Sequence, residues 1–319
     1  MPLISRRTWL GGSLYASLAA ASGVRAATPL QSSPVRIPVW PGAAPGGSRV
    51  TVTAAEIPRS ADGPPNDTAF VHVREPVLIH TPAVVPNGAA LLNIPGGGYR
   101  RVAVGLGGMA FANHFARLGF AVYTLIYRLP ADGWEAGPDA PLQDAQRALR
   151  LIRFRAGQDG FDPSRIGVIG GSAGGHLAAR LVLRQDISSY KPSDAIDRLP
   201  LAPKVAGLLF PVVATTGSHA HRGSVEELFP KATDAAAMQS YSADAAIAAG
   251  SPPTFLAHAI DDTVVRWRNS ALLMDKLALA GVPQEAHFFE RGGHGFGLDG
   301  PAARWVDLFM DFARRHALI

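Results

Sequence analysis

Short apolar runs bounded by turn residues recur along the chain at 77–80, 90–94, 120–127, 166–169, 205–213, 254–259 and 286–289. Between most of them lie segments with helical propensity, at 109–118, 142–155, 176–183, 270–280 and 302–316. Strands and helices in alternation predict an α/β fold: a mainly parallel central sheet with helices on both faces. In such a sheet, binding and chemistry collect at the carboxyl ends of the strands. Residues 28–68 break the pattern. They are rich in Pro, Gly and Ser, with Trp40-Pro41-Gly42-Ala43-Ala44-Pro45-Gly46 as the densest turn cluster, and predict an extended leader with one edge strand at 50–53. The stretch 215–250 is also irregular and predicts short helices forming a small lid over the site. On the helix at 142–155, Leu149, Ile152 and Phe154 mark the buried side. Arg147, Arg150 and Arg153, with Asp144 and Arg155 nearby, then read as a solvated stripe rather than a binding face.

A chain of 319 residues with 47% hydrophobic content can bury one large core, here expected over 69–319 and preceded by the leader at 27–68. The first 26 residues stand apart. Arg6 and Arg7 precede a weakly apolar, small-residue stretch, and Val24-Arg25-Ala26 carries small or apolar residues where a signal peptidase reads. This looks like a twin-arginine signal for export to the periplasm or beyond, and it is too short and too rich in Gly and Ser to span a bilayer. Its removal takes Arg6, Arg7 and Arg25 and no acid, so the formal charge falls from +5 to +2. The basic balance is therefore no nucleic-acid footprint. The absence of cysteine excludes disulfides, thiolate metal sites and cysteine nucleophiles.

The densest chemical signal is Ile169-Gly170-Gly171-Ser172-Ala173-Gly174-Gly175-His176. Gly170, Ser172 and Gly174 fit G-x-S-x-G, in which a serine sits on a strained strand-to-helix corner with its hydroxyl above the sheet. A phosphate-binding Walker loop would need Lys after Gly175, where His176 stands. A serine hydroxyl needs a base, and that base an orienting acid; on this kind of corner they follow in the order acid, then histidine. Asp262, just past the strand at 254–259, is the candidate acid, with Asp261 the runner-up. His294, in Gly292-Gly293-His294-Gly295, is the candidate base. His176 lies on the helix after the serine and His258 within a strand, which suits structural roles, while His219 and His221 precede the acid. Pro95-Gly96-Gly97-Gly98-Tyr99 follows a strand end, and the N–H groups of Gly97 and Gly98, with that of Ala173, are the candidate oxyanion hole. Trp134 and Trp267 are candidate sugar-stacking rings at the mouth.

Together these residues resemble the α/β-hydrolase superfamily, and within it the secreted acetylesterases grouped with acetyl xylan esterases and feruloyl-esterase-like lipases. The resemblance spans nearly all of the chain after residue 26 and rests on the Trp40-Pro41-Gly42 leader, Pro95 to Arg101, Asp162-Pro163-x-Arg165 through Ala178, His221-x-Gly223-Ser224, Pro253 to Leu256 and Gly292 to Phe296. Pro95 replaces the histidine that opens the glycine motif in the hormone-sensitive-lipase branch, and 102–108 lacks the charged residues expected in acetylesterases. The resemblance implies acyl transfer through Ser172, His294 and Asp262, with Tyr99 and Arg100 beside the substrate. It implies no metal or organic cofactor. The expected substrate is a small-molecule or oligosaccharide ester, probed first as an acetylated carbohydrate. A prolyl-oligopeptidase-type peptidase shares the order of the three residues but adds a propeller domain for which 319 residues leave no room. A non-catalytic binding protein would lack one of the three.

Overall fold

The computed structural model describes residues 35–185, 187–231 and 233–319; the export-signal reading of 1–26 and the start of the leader lie outside them. Eleven strands follow in chain order: β1 (Val35–Pro38), β2 (Ala55–Pro58), β3 (Thr68–Val71), β4 (Val77–Thr81), β5 (Ala90–Ile94), β6 (Val102–Ala103), β7 (Ala121–Ile126), β8 (Ile166–Gly171), β9 (Val205–Leu209), β10 (Thr254–Ala259) and β11 (Gln284–Phe289). Eight form one sheet in the order β1-β4-β7-β5-β8-β9-β10-β11. From β7 to β11 neighbouring strands are parallel, while β4 runs antiparallel to both β1 and β7. The alternating apolar runs thus do build a mainly parallel sheet. The strand order reverses around β5 and β8, which places the loops after these two side by side at the carboxyl end.

Helices cover both faces. On one, α2 (Ala140–Asp159), α3 (Ala173–Leu183) and α6 (Arg268–Leu279) bury Leu149, Leu181 and Leu277 against the sheet. On the other, α1 (Phe111–Arg117) and α7 (Trp305–Arg315) bury Phe115, Trp305 and Phe309. Two short helices, α4 (Arg222–Leu228) and α5 (Ala235–Ser240), occupy the irregular stretch expected to form a lid.

Three expectations need correction. Residues 50–53 are not a strand; Val50 is buried instead, and the strands of this region are β1, on the edge of the main sheet, and β2, in a small antiparallel sheet with β3 and β6. The arginines of α2 are not a solvated stripe. Arg147 is buried, with its guanidinium on Asp194 at 2.6 Å and Asp197 at 2.9 Å, and Asp144 is fully buried against Arg128. Phe154, expected on the buried side, is 64% exposed. The second has a long-range cause. Residues 35–48 and 187–199 fold over one flank of α2, where Arg147 Nε reaches the Val39 carbonyl, and turn a surface that local periodicity assigns to water into an interior one. Among the described residues no helix is long and apolar enough to cross a membrane.

Candidate active site

β8 ends at Gly171 and α3 begins at Ala173, so Ser172 must turn the chain alone. It does so at φ 57°, ψ −125°, a conformation costly for a residue with a side chain and held by its surroundings. The two motif glycines explain why the corner closes. A Cβ on Gly170 would lie 2.4 Å from the Gly174 carbonyl oxygen, and one on Gly174 2.2 Å from that of Ile94. The corner also directs the N-terminus of α3, the positive end of its dipole, at the space in front of Ser172.

Ser172 Oγ lies 2.9 Å from His294 Nε2, and His294 Nδ1 lies 2.7 Å from Asp262 Oδ2. Since a carboxylate only accepts, Nδ1 carries the hydrogen, and Nε2 is left to accept from the serine hydroxyl. Asp262 is buried at the β10 end. Its Oδ1 accepts from the N–H groups of Val264 and Val265, both at 2.9 Å, and His258 Nε2 stands 3.3 Å from Oδ2. Burial alone would raise its pKa, but donation from His258, His294 and Val265 outweighs that and holds the carboxyl well below the usual carboxylate range. Asp261, the runner-up, serves elsewhere: its Oδ1 accepts from Gly293 N at 2.8 Å and ties down the loop carrying His294.

The remaining histidines separate cleanly. His176 is fully buried, donating from Nε2 to the Tyr241 carbonyl at 2.8 Å and accepting at Nδ1 from the Tyr99 hydroxyl at 2.7 Å. Burial, with Arg180 nearby, pushes its pKa down to about 3. His258 donates to the Val265 carbonyl at 2.8 Å and accepts from Ser270 at 2.7 Å. His221 caps α4, its Nδ1 accepting from Ser224 N, and it faces the same cavity as Ser172. Burial, then the neighbouring His294, lower its pKa. His219 lies beside it in sequence, its carbonyl accepting from Asn269 Nδ2 at 2.9 Å.

Ser172 and His294 open into a cavity of about 440 Å³. Gly97 and Gly98 line it, and the N–H groups of Gly97, Gly98 and Ala173 donate to no protein acceptor among the described residues. Its apolar wall includes Phe111, Leu209, Phe210, Phe296, Leu298 and Trp305, and its charged side chains besides histidine are Arg59 and Arg101.

None of the four residues expected to touch substrate lies on this wall. Tyr99 is buried and turned inward to His176. Arg100 pairs with Glu227 at 2.7 Å. Trp134 is buried, its ring 4.7 Å from the Arg128 guanidinium, and Trp267 packs edge-on against Phe288. Sequence reasoning missed Arg101, one position beyond the residue chosen, and Phe210, whose ring stands 5.2 Å from that of His294 at the end of β9. The inclusion of both arginines in one motif was the available signal for the first; nothing local marked the second.

Comparisons with known proteins agree with this architecture. A family model described as BD-FAE matches residues 79–277. Among curated proteins, the chain is 29% identical over 211 residues to endo-1,4-beta-xylanase B of Butyrivibrio fibrisolvens, covering 64% of this chain and 32% of that one. It is 26% identical over 217 residues to the acetylxylan esterase of Xylanibacter ruminicola, covering 67% of this chain and 42% of that one. The chain thus spans less than half the length of these curated relatives. Among solved structures, the acetyl ester-xyloside bifunctional hydrolase of Caldicellulosiruptor lactoaceticus superposes with a TM-score of 0.71 at 28% identity, over 92% of this chain and 100% of that one. A propionate-bound thermophilic esterase, Est2 of Thermogutta terrifontis, shares the fold with a TM-score of 0.63 at 22% identity, over 80% and 96%.

Proposed function

The chain belongs to the BD-FAE family, and from that premise we propose that it is a serine carboxylesterase that releases short acyl groups, acetate foremost, from a carbohydrate. The observation that carries the reading is the continuous hydrogen-bonded line from Ser172 through His294 to Asp262 at the mouth of a cavity. Ser172 attacks the ester carbonyl as His294 Nε2 takes its proton, and Asp262 stabilises the imidazolium that forms. The oxyanion rests on the N–H groups of Gly97, Gly98 and Ala173. His294 then gives its proton to the departing alcohol, and water repeats the sequence on the acyl enzyme. The names of an acetylxylan esterase and an acetyl ester-xyloside hydrolase among its relatives support acetyl and carbohydrate as the two halves of the substrate. Residues 1–26 are proposed to export the folded chain by the twin-arginine route; an exported protein that still begins at Met1 would overturn that.

The largely apolar wall, to which neither Trp134 nor Trp267 belongs, favours a second reading: a general short-chain esterase. The test is acetate release from acetylated xylo-oligosaccharides beside 4-nitrophenyl esters of increasing chain length, with Ser172→Ala as the blank. Preference for the acetylated sugar supports the carbohydrate reading, and activity on simple esters alone supports the second. A Ser172→Ala protein that is folded and still hydrolyses either substrate sinks the mechanism.

A further inference from the structure

The cavity wall at Ser172 carries two arginines and no carboxylate side chain. Arg101 is fixed against the glycine loop. Its N–H donates to the Gly97 carbonyl at 3.3 Å, and a Cβ on Gly97 would fall 2.1 Å from the Arg101 carbonyl oxygen and 3.2 Å from its Cγ. The Arg101 side chain therefore leaves the backbone beside the proposed oxyanion hole. Its Nη1 donates to the Arg59 carbonyl at 3.3 Å, a neutral acceptor, and no acidic side chain among the described residues forms an ion pair with it. Arg59 does have one, Asp67 at 3.3 Å, as Arg100 has Glu227. Of the three neighbouring cations, Arg101 on the cavity wall is the one without a counter-ion. A half-buried guanidinium keeps its charge. In a concave, partly apolar setting it attracts anions and holds them by charge-assisted, often bidentate hydrogen bonds.

We infer that Arg101, with Arg59 beside it, forms an anion subsite in the Ser172 cavity, so that the preferred ester carries a carboxylate a few bonds from the scissile carbonyl. This rests on the esterase reading above and narrows its substrate from any short-chain ester to an acidic one. The carboxylate can stand on the alcohol side, as in an acylated sugar acid, or on the acyl side, as in a half-ester of a dicarboxylic acid.

Two matched pairs test it and separate these sources: 4-acetoxybenzoate against 4-acetoxybenzamide for the alcohol side, and 4-nitrophenyl hemisuccinate against 4-nitrophenyl butyrate for the acyl side. The readout is the kcat/KM ratio, charged over neutral, in the wild type and in Arg101→Gln, which cancels the intrinsic reactivity of each ester. Losing one charge-assisted contact at a partly exposed site predicts that one of the two ratios falls on the order of tenfold in Arg101→Gln, and by less in Arg59→Gln, whose charge Asp67 already offsets. The pair whose ratio falls identifies the side that bears the carboxylate. Hydrolysis of the neutral esters with both ratios unmoved by either substitution overturns the subsite alone. No hydrolysis of any of the four by the wild type overturns the esterase reading and the subsite with it.

Discussion

Asp144 and Asp262 are both carboxylates with fully buried side chains, and each is saturated with donors. Around Asp144 the donors are the indole of Trp40 at 2.8 Å, the backbone N–H of Arg128 at 2.8 Å and its guanidinium. That guanidinium spends its remaining donors on the Pro45 and Ala140 carbonyls and Gln143, and Trp134 lies over it. None of these groups can give up a proton near neutral pH. Around Asp262 two of the donors are imidazoles, and one of them, His294, reaches a serine hydroxyl at a cavity. Burial and satisfaction are alike in the two places. On the proposed mechanism, what separates a structural charge from a chemical one here is whether the partner can lose its proton and whether a nucleophile stands beyond it.

The sharpest way to break that comparison is Asp262→Asn. The side chain keeps its shape and can still accept from Val264 and Val265. Its amide, however, also offers N–H donors, and donation to His294 Nδ1 would leave the hydrogen on Nε2, where it cannot serve as base. Turnover should fall by about 10⁴-fold with KM nearly unchanged, measured on 4-nitrophenyl acetate. A loss below tenfold would mean that Asp262 does not orient the imidazole.

Asp144→Ala is the counterpart at the other carboxylate. It strands the buried Arg128 guanidinium, and removing one partner of such a pair costs about 3–5 kcal/mol, read as a lower urea midpoint. Turnover of the fraction that stays folded should be close to wild type, because no residue of this cluster lines the Ser172 cavity. Lost turnover at full stability would erase the distinction between the two carboxylates.

Much of this was legible in the sequence for a definite reason. Strands, helices and the Ser172 corner are set by local pattern, and the proposed acid and base follow in chain order past strand ends, so Asp262 and His294, which the fold brings into line with Ser172, could be chosen as candidates from among rivals. Tyr99, Trp134 and Arg147 could not be placed that way. Each has its surroundings decided by residues distant in the chain: Tyr99 by His176 and Trp134 by Arg128 packed beneath it, Arg147 by Asp194 and Asp197. His176 sharpens the same contrast by titration. The unfolded chain takes up a proton on it near pH 6.5, whereas the folded chain resists until about 3. Its contribution to stability is therefore complete above 6.5 and is lost as pH falls towards 3. Between pH 7.5 and 5.5 the loss should be about 1.4 kcal/mol. His176→Gln, which can still donate to the Tyr241 carbonyl, should lack this part of the pH dependence; equal slopes in denaturant titrations of the two proteins would show that the site is not closed to the charged ring.

The smallest expected effect lies on the outer face of α2, where the sequence pattern misleads in the opposite direction. Phe154 completes an apparent apolar stripe with Leu149 and Ile152, yet those two are fully buried while Phe154 is 64% exposed. Continuing the helix from Ile152 rotates Phe154 about 200° around the axis, away from the sheet that Ile152 faces, so its apolar character reflects no packing need. Phe154→Ser should shift the unfolding free energy by less than about 0.5 kcal/mol, as for substitutions on an uninvolved surface. A loss of about 2 kcal/mol or more in the same urea titration, the size expected for a packed side chain, would mean that this flank of α2 is covered in solution, and a second flank of the helix, besides the one that carries Asp144, would then be interior.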